Sequence, residues 1–357
     1  MRVSGLLITH QLTDEAMGWF SALRETVDEL VAFVDQDHAA PDLDAKLRRL
    51  DARIFATRGP ELQRADFPAM VRACRGDWIL KIDYDEELSP EWSDPRWRGI
   101  LDAGEFTHFW LPRRWTTAPG EFIASEPWWP DRQLRLFRNR LADITFPTRL
   151  HDNLSVKGAG GYLRTLAIHH HDLRLASRPA REAKADIYEQ RSPGKGLGFF
   201  YLPEDFDLRR LPLPPASEFD LTREILQMGQ LDDTEAALLV LKAATPPARM
   251  ASRELLWLDV RLTNGTGRAV CSGAPFPVNL ACHWLDAATS NPIVFDGERT
   301  AILPEVPSGQ TADFKMFIIA PEEPGEYLLR VTLVQEQARW LDSGEFPTVQ
   351  DFNVRVE

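Results

Sequence analysis

The stretch Gly76-Asp-Trp-Ile-Leu-Lys-Ile-Asp-Tyr-Asp-Glu-Glu-Leu88 sets a short apolar run between acidic residues. Asp77 precedes the run, and Asp83, Asp85, Glu86 and Glu87 follow it in a tight cluster. The run Trp78–Ile82 has the length and composition of a buried strand. If the chain stays extended past it, Asp83 and Asp85 share a face, because side chains alternate along a strand. Two carboxylates aimed at one point suit a hard divalent cation such as Mg²⁺ or Mn²⁺. Alone, Asp-x-Asp is a weak pattern, and a solvated loop at a strand end is the commoner source of it.

The surrounding chain supplies context. Val3–Ile8 reads as a strand, Thr13 as a helix N-cap, and Ala16, Phe20, Leu23 and Val27 as a helical stripe. Leu30–Val34 is a second apolar run ending at Asp35, and Leu43, Leu47 and Leu50 follow at helical spacing. Ala52–Ala56, Ala69–Cys74 and Trp78–Ile82 continue the alternation as strand, helix and strand. The order β-α-β-α-β-α-β predicts an α/β domain with a mostly parallel sheet. Ligands of such sheets bind outside the carboxyl ends of the strands, where Asp35 and the acidic cluster fall. Further on, Phe106–Leu111 and Gln133–Phe137 read as strands and Arg178–Gln190 as a helix.

Pro203, Pro212, Pro214 and Pro215 mark an extended boundary. Beyond it the apolar period becomes two. Leu256, Leu258, Val260 and Leu262 form one alternating set; Val278, Leu280, Cys282 and Trp284 another; Tyr327, Leu329, Val331 and Leu333 a third. Turn signals such as Asn264-Gly265 and Asp296-Gly297 separate them, which predicts an all-β sandwich. The expected organisation is an α/β domain over 1–205, a linker with a connecting helix over 206–250, and a sandwich over 251–357.

The bulk numbers restrict the partners. The chain has 357 residues and a net charge of −13, which argues against a broad nucleic-acid footprint. Three cysteines without a C-x-x-C pair fit a reducing cytoplasm. The apolar start of Met1–His10 is too short for a signal peptide, and no run is long enough to span a membrane. Contact at the inner face of a membrane stays open.

Residues 76–90 resemble the metal-binding strand of family 2-type glycosyltransferases with the GT-A fold, whose signature is Gly-Asp-Trp, an apolar strand and Asp-x-Asp-Glu. Trp129-Pro-Asp-Arg-Gln-Leu-Arg-Leu-Phe-Arg138 is similar to that group's Pro-x-x-Gln-x-Arg-Leu-Phe-Arg segment. Leu150-His-Asp-Asn-Leu154 looks like its hydrophobic-His-Glu element, and His169–Asp172 like the His-rich strand end that follows. The resemblance covers about residues 3–205. It implies a nucleotide-diphospho-sugar donor, a glycan or lipid-linked acceptor, an inverting displacement, a Mn²⁺ or Mg²⁺ cofactor and a place in bacterial surface polysaccharide assembly.

On that resemblance Asp85 and Asp83 are the metal candidates, with Asp83 facing ribose or diphosphate and Glu86 in support. Asp35 matches the base- or ribose-binding position. Asp152, where the group has Glu, is the candidate general base, with His151 beside it. Arg135 and Arg138 are candidates for the donor phosphates, and Trp128 and Trp129 for stacking on sugar rings.

Each residue also has a plainer role open to it. Asp35 can end a strand, His151 and Asp152 can pair structurally, and Trp128 and Trp129 can pack in a core. Strand alternation would bury one or two of His169–His171 and expose the rest, and Asp77 and Glu87 read as solvated. The chain departs from the group at Thr9-His-Gln-Leu-Thr-Asp-Glu15, at Asp35-Gln-Asp-His-Ala-Ala-Pro-Asp42 and at Arg64-Ala-Asp-Phe-Pro68, all in the nucleotide half. These departures motivate an alternative: a catalytically silent GT-A domain whose sandwich binds carbohydrate or protein. The sandwich itself resembles immunoglobulin-like accessory domains through His283-Trp-Leu-Asp286, Phe295-Asp-Gly-Glu-Arg-Thr300 and Ala320-Pro-Glu-Glu-Pro-Gly-Glu-Tyr327.

Overall fold

A computed structural model describes residues 1–57, 67–146, 154–191, 197–343 and 346–357. The chain divides into two compact units, Met1–Ile225 and Leu226–Glu357.

The strands of the first unit are β1 (Val3–Thr9), β2 (Glu29–Asp35), β3 (Ala52–Thr57), β4 (Trp78–Asp83), β5 (Glu86–Leu88), β6 (Phe106–Ala118), β7 (Glu121–Ile123), β8 (Arg132–Arg138), β9 (Ile144–Thr145), β10 (Ser155–Val156), β11 (Ala159–Leu163), β12 (Ile168–His170) and β13 (Arg210–Pro212). β1 pairs in parallel with both β2 and β4, and β2 with β3. β8 runs antiparallel to β4 and to β6, and β11 is parallel to β6. The expected parallel sheet is therefore a mixed one beyond β4.

Helices cover this sheet on both faces. Thr13 caps the helix Asp14–Thr26 by accepting the Ala16 N–H at 3.0 Å. Its Ala16, Phe20 and Leu23 pack with Leu7, Leu80 and Ile82 on one face. Met70 and Val71 of the helix Phe67–Ala73 pack with Leu6, Val31 and Ile79 on the other. A strand buried on both faces needs apolar residues throughout, which is why β2 is buried along its length. Each such Leu, Ile or Phe contributes about 1.5–3 kcal/mol of burial.

Two segments differ from the sequence expectation. β6 runs on through Pro112 to Ala118, so its first half pairs with β8 and its second with β12 and β7. Residues 206–225 are not a free linker. β13 pairs with β7, Phe219 is buried in the core, and Glu224 accepts the N–H groups of Arg164, Thr165 and Leu166. The proline-rich composition reflects extended chain laid on a folded surface, and the division between units falls after Ile225.

The remaining strands are β14 (Ile225–Met228), which begins at that division, β15 (Leu239–Ala243), β16 (Arg249–Met250), β17 (Leu255–Asn264), β18 (Ala274–Pro275), β19 (Val278–Asp286), β20 (Pro292–Val294), β21 (Arg299–Ala301), β22 (Thr311–Ile319), β23 (Gly325–Gln335), β24 (Arg339–Trp340) and β25 (Gln350–Val356). One sheet has the order β15-β17-β22, the other β16-β25-β23-β19-β20 with β21 on β19 and β24 on β23. Trp284 on β19 is fully buried and donates from Nε1 to the Ile319 carbonyl of the opposite sheet at 2.9 Å, a packing role. β19 is buried on both faces, since His283 on its far side lies under the rings of Phe295 and Trp340.

Candidate active site

The parallel strands run in the order β3-β2-β1-β4. The chain winds outward from β1 to β3, then returns to the other side of β1 as β4. The crevice outside the carboxyl ends of β1 and β4 is thus the topological switch point. His10 follows β1, Asp35 ends β2, and Asp83 ends β4. His10 packs edge-on against Tyr84, with centroids 4.7 Å apart. Burial lowers the His10 pKa, and both Asp35 and Asp85 pull against that shift, so one imidazole senses both carboxylates. Asp35 is 4% exposed and accepts from the Asp37 N–H at 3.1 Å; its other oxygen lies 3.0 Å from His38 Nδ1.

The acidic cluster does not continue as an extended strand. The chain turns at Tyr84–Asp85 and re-enters a strand as β5. β5 lies antiparallel to β12, with Glu86 opposite His170 and Glu87 opposite His169, and β12 is parallel to β6. Acidic and histidine strands are thus neighbours, and the alternation that would align Asp83 with Asp85 is broken by the turn.

Asp83 is held by two cations. Its Oδ1 accepts from Lys81 at 2.6 Å and its Oδ2 from Arg135 at 2.8 Å. Burial would raise its carboxyl pKa, but Lys81 and Arg135 hold it well below the ordinary range. Arg135 also grips Glu86 through Nε and NH2 at 3.1 and 2.7 Å, and Arg113 approaches Glu86 at 3.4 Å. Arg113 in turn donates to Asp131 at 2.8 Å, which also accepts from Trp115 and Gln133. Arg135 therefore shapes the carboxylate cluster from a buried position instead of presenting itself to a ligand.

Glu87 is only partly solvated and is engaged by histidines, which the sequence did not lead one to expect. Its Oε2 accepts from His171 Nε2 at 3.0 Å and lies 3.6 Å from His169 Nδ1. Burial would raise this carboxyl, but hydrogen bonds from the two histidines bring it down to about 2. All three histidines are buried, because β12 lies between β5 and β6 and its faces are covered: Trp115 meets His170 edge-on and Trp19 stacks on His171. Asp77, by contrast, is exposed and accepts the Arg2 N–H at 2.8 Å.

Asp85 is 5% exposed, and its Oδ2 sits 3.4 Å from His170 Nε2. His170 Nδ1 is buried without a hydrogen-bond partner among the described residues. Leaving the histidines aside, the carboxylates Asp83, Asp85, Glu86, Glu87, Asp131 and Asp172 outnumber the cations Lys81, Arg113, Arg135 and Lys184 by two charges. Among the described residues no group of three or more His, Cys, Asp or Glu converges as a metal cage. A Mg²⁺-type ion needs only one or two protein ligands when a substrate phosphate completes its shell. Asp85 and His170, with two negative charges uncompensated, fit such an ion; Asp83, with both oxygens engaged by cations, does not stand beside them.

Other expected residues lie elsewhere. Arg138 pairs across from Trp78, at the end of β4 opposite to Asp83, where its guanidinium stacks on that ring and donates to the Phe106 carbonyl. It is not brought to the cluster. Trp128 is fully buried among Phe199, Phe200 and Phe206, and its Nε1 donates to the Phe200 carbonyl, so it belongs to the core and is not placed to stack on a sugar ring. Trp129 is half-buried, edge-on to Phe122 and beneath Arg114. His151 and Asp152 lie outside the described residues. Sequence reasoning missed Arg113, Asp131 and His170 as members of the cluster. The Asp131–Gln133 spacing inside the Pro-x-x-Gln motif was the available signal for Asp131; the pairing of β5 with β12 had none.

No family model matches the chain, and no curated protein sequence matches it. Solved structures give distant likenesses. S. aureus TarS aligns over 100% of this chain and 78% of its own, at 12% identity and a TM-score of 0.36. Glucosyl-3-phosphoglycerate synthase from Mycobacterium tuberculosis, in complex with Mn²⁺, uridine diphosphate and glucosyl-3-phosphoglycerate, aligns over 32% of this chain and 44% of its own, at 18% identity and a TM-score of 0.23. The β-glucosidase from Listeria innocua aligns over 33% of this chain, at 16% identity and a TM-score of 0.23, and this chain spans only 16% of its length. Likenesses this distant leave the site to be read from its own geometry.

Proposed function

We propose that the first unit transfers a sugar from a nucleotide-diphospho-sugar to a glycan or lipid-linked acceptor, with inversion and with a divalent cation, in bacterial surface polysaccharide assembly. One observation carries this reading. Two buried carboxylates, Asp35 after β2 and Asp85 after β4, flank the same His10 at the switch point of a parallel sheet. A polar nucleoside contact and a cation-seeking carboxylate at one switch point are what a nucleoside diphosphate would use.

In this reading Asp85 and His170 would hold Mn²⁺ or Mg²⁺, which when bound would supply positive charge to the diphosphate. Asp35 accepts from a ribose or base donor. Arg113 and Arg135 fix Glu86 and Asp83, so the turn carrying Asp85 keeps its shape. Asp152 takes the proton of the acceptor hydroxyl. The acceptor oxygen bonds to the anomeric carbon as the bond to the diphosphate oxygen breaks, and the electron pair leaves with the nucleoside diphosphate. The second unit serves as an immunoglobulin-like accessory module. A second reading, a silent donor-type domain beside a binding module, draws on the exposed Ile293 and Phe295 of the second unit, the latter packed on Trp340.

The test is thermal stabilisation by UDP-, GDP-, dTDP- and CMP-linked sugars with and without Mn²⁺. One nucleotide class should stabilise the protein in a cation-dependent way, and Asp85→Ala should remove that dependence. Stabilisation by none of them sinks the donor reading. Asp152→Asn should retain donor binding and lose transfer; full turnover would remove Asp152 as base and leave donor binding intact.

A further inference from the structure

Beside the acidic turn lies a lysine that the scheme above does not use. Lys184 projects from the helix Arg178–Arg191, and its Nζ donates to Asp172 Oδ1 at 2.9 Å. Asp172 follows the histidine strand directly and is 4% exposed; its Oδ2 is buried without a partner among the described residues. The same ammonium sits 4.5 Å over the ring of Tyr201, which is itself packed on Tyr188. The acidic turn is tied to this segment by its backbone, since the Asp85 carbonyl accepts the N–H of His171, the residue before Asp172, at 2.8 Å. The Lys184 side chain remains 34% exposed, so solvent reaches it.

These contacts hold the ammonium in place before any ligand arrives. The ion pair uses one of its three N–H donors and the Tyr201 ring takes one side of the ammonium, which leaves a further N–H for a ligand. A cation fixed by a buried carboxylate and open on one side beside Asp85 is placed to meet an anion there. Neutralising Asp172 alone would not require the second and third features. A compact ammonium suits a phosphate oxygen as a point charge, and such a contact strengthens as charge grows on the leaving oxygen.

We propose that Lys184 binds the diphosphate of the donor, held ready by Asp172 and Tyr201; this rests on the donor-site reading above. The experiment compares binding of UDP, GDP and dTDP with binding of uridine, guanosine and thymidine, by calorimetry in the presence of Mn²⁺. For the nucleotide that the wild-type protein binds, Lys184→Gln should weaken the diphosphate about ten-fold while leaving the nucleoside within about two-fold, the loss of one charge-assisted hydrogen bond. Lys184→Arg should recover most of the affinity. Because Lys184→Gln leaves Asp172 buried without its cation, the double variant Lys184→Gln/Asp172→Asn guards against loss of fold, and it should show the same selective weakening. Equal diphosphate binding by wild type and the variants overturns the Lys184 assignment alone, as does equal weakening of diphosphate and nucleoside. Failure of the wild-type protein to bind any of the six overturns the donor reading and the Lys184 assignment together.

Discussion

Both units contain a guanidinium that grips a carboxylate with two hydrogen bonds. In the first unit Arg135 holds Glu86 through Nε and NH2, at 3.1 and 2.7 Å. In the second, Arg330 on β23 holds Asp351 on β25 through the same two atoms, both at 2.8 Å. The chemistry is the same and the surroundings differ. The side chains of Arg135 and Glu86 are 9% and 0% exposed; those of Arg330 and Asp351 are 27% and 33% exposed. Water competes for the second pair and barely reaches the first. Removing two charges from water costs more than their attraction returns unless further partners are present. The first clamp has them, in Asp83 and Arg113. A network so costly to bury, placed at the switch point of a parallel sheet, marks where the molecule keeps charge for a purpose.

The sharpest way to break this comparison is to remove one guanidinium. Arg135→Met leaves Glu86 buried with the longer Arg113 contact as its one remaining cation and the Asp83 N–H at 3.1 Å as its backbone donor, and takes one of the two cations from Asp83. An uncompensated buried carboxylate of this kind costs about 3–5 kcal/mol. Urea unfolding should show a loss of that size. A loss under about 1 kcal/mol would mean that water reaches the cluster and that its burial is not its distinguishing property.

The parts of this network legible from sequence were the local ones. Apolar runs marked β1, β2, β3 and β4, and helical spacing marked what lies between them. Thr13 announced a helix start through its own side chain, whose partner, the Ala16 N–H, lies only three residues on. The acidic tail was not legible. Glu86-Glu87-Leu88 is short and polar, and becomes a strand only because His170, His169 and Ile168 lie opposite it from far along the chain. Pro112 hid the second half of β6 in the same way: the apolar pattern stops at Leu111, while the pairing with β12 and β7 continues. Trp128 was a candidate for stacking on sugar rings, and it does lie in a loop, but Phe199, Phe200 and Phe206 cover it. Loop position and burial are separate properties, and composition speaks only to the first. The linker expected over 206–250 failed for the same reason, since Phe219 and Glu224 are buried within the first unit.

A smaller effect tests whether the histidine pairing of Glu87 belongs with the buried clamp. Burial works to raise this carboxyl, yet hydrogen bonds from His169 and His171 bring it from its ordinary 4.5 down to about 2. A carboxyl depressed on folding stabilises the protein above its unfolded pKa, and that contribution disappears as pH falls through the folded value. The window is therefore between about 4.5 and about 2. Over that range the urea midpoint of the wild-type protein should fall more steeply than that of Glu87→Gln, which has no proton to gain. Parallel acid limbs in the two proteins would show that Glu87 is as free in the folded chain as in the unfolded one, and would return it to the solvated class.

The smallest effect is expected at the second clamp, where it also sets the scale for the first. Arg330→Met removes two hydrogen bonds as well aligned as those of Arg135, between strands whose pairing continues on either side. Its cost should stay below about 1 kcal/mol, because water replaces the lost partner and the freed side chain regains rotamer entropy. Raising ionic strength should shrink the difference between wild type and Arg330→Met, since exposed pairs are screened, while leaving that between wild type and Arg135→Met nearly unchanged. Matching salt dependence at the two positions would show that the two clamps sit in the same dielectric environment, whatever their geometric burial, and the cluster at the end of β4 would then be one more surface ion pair.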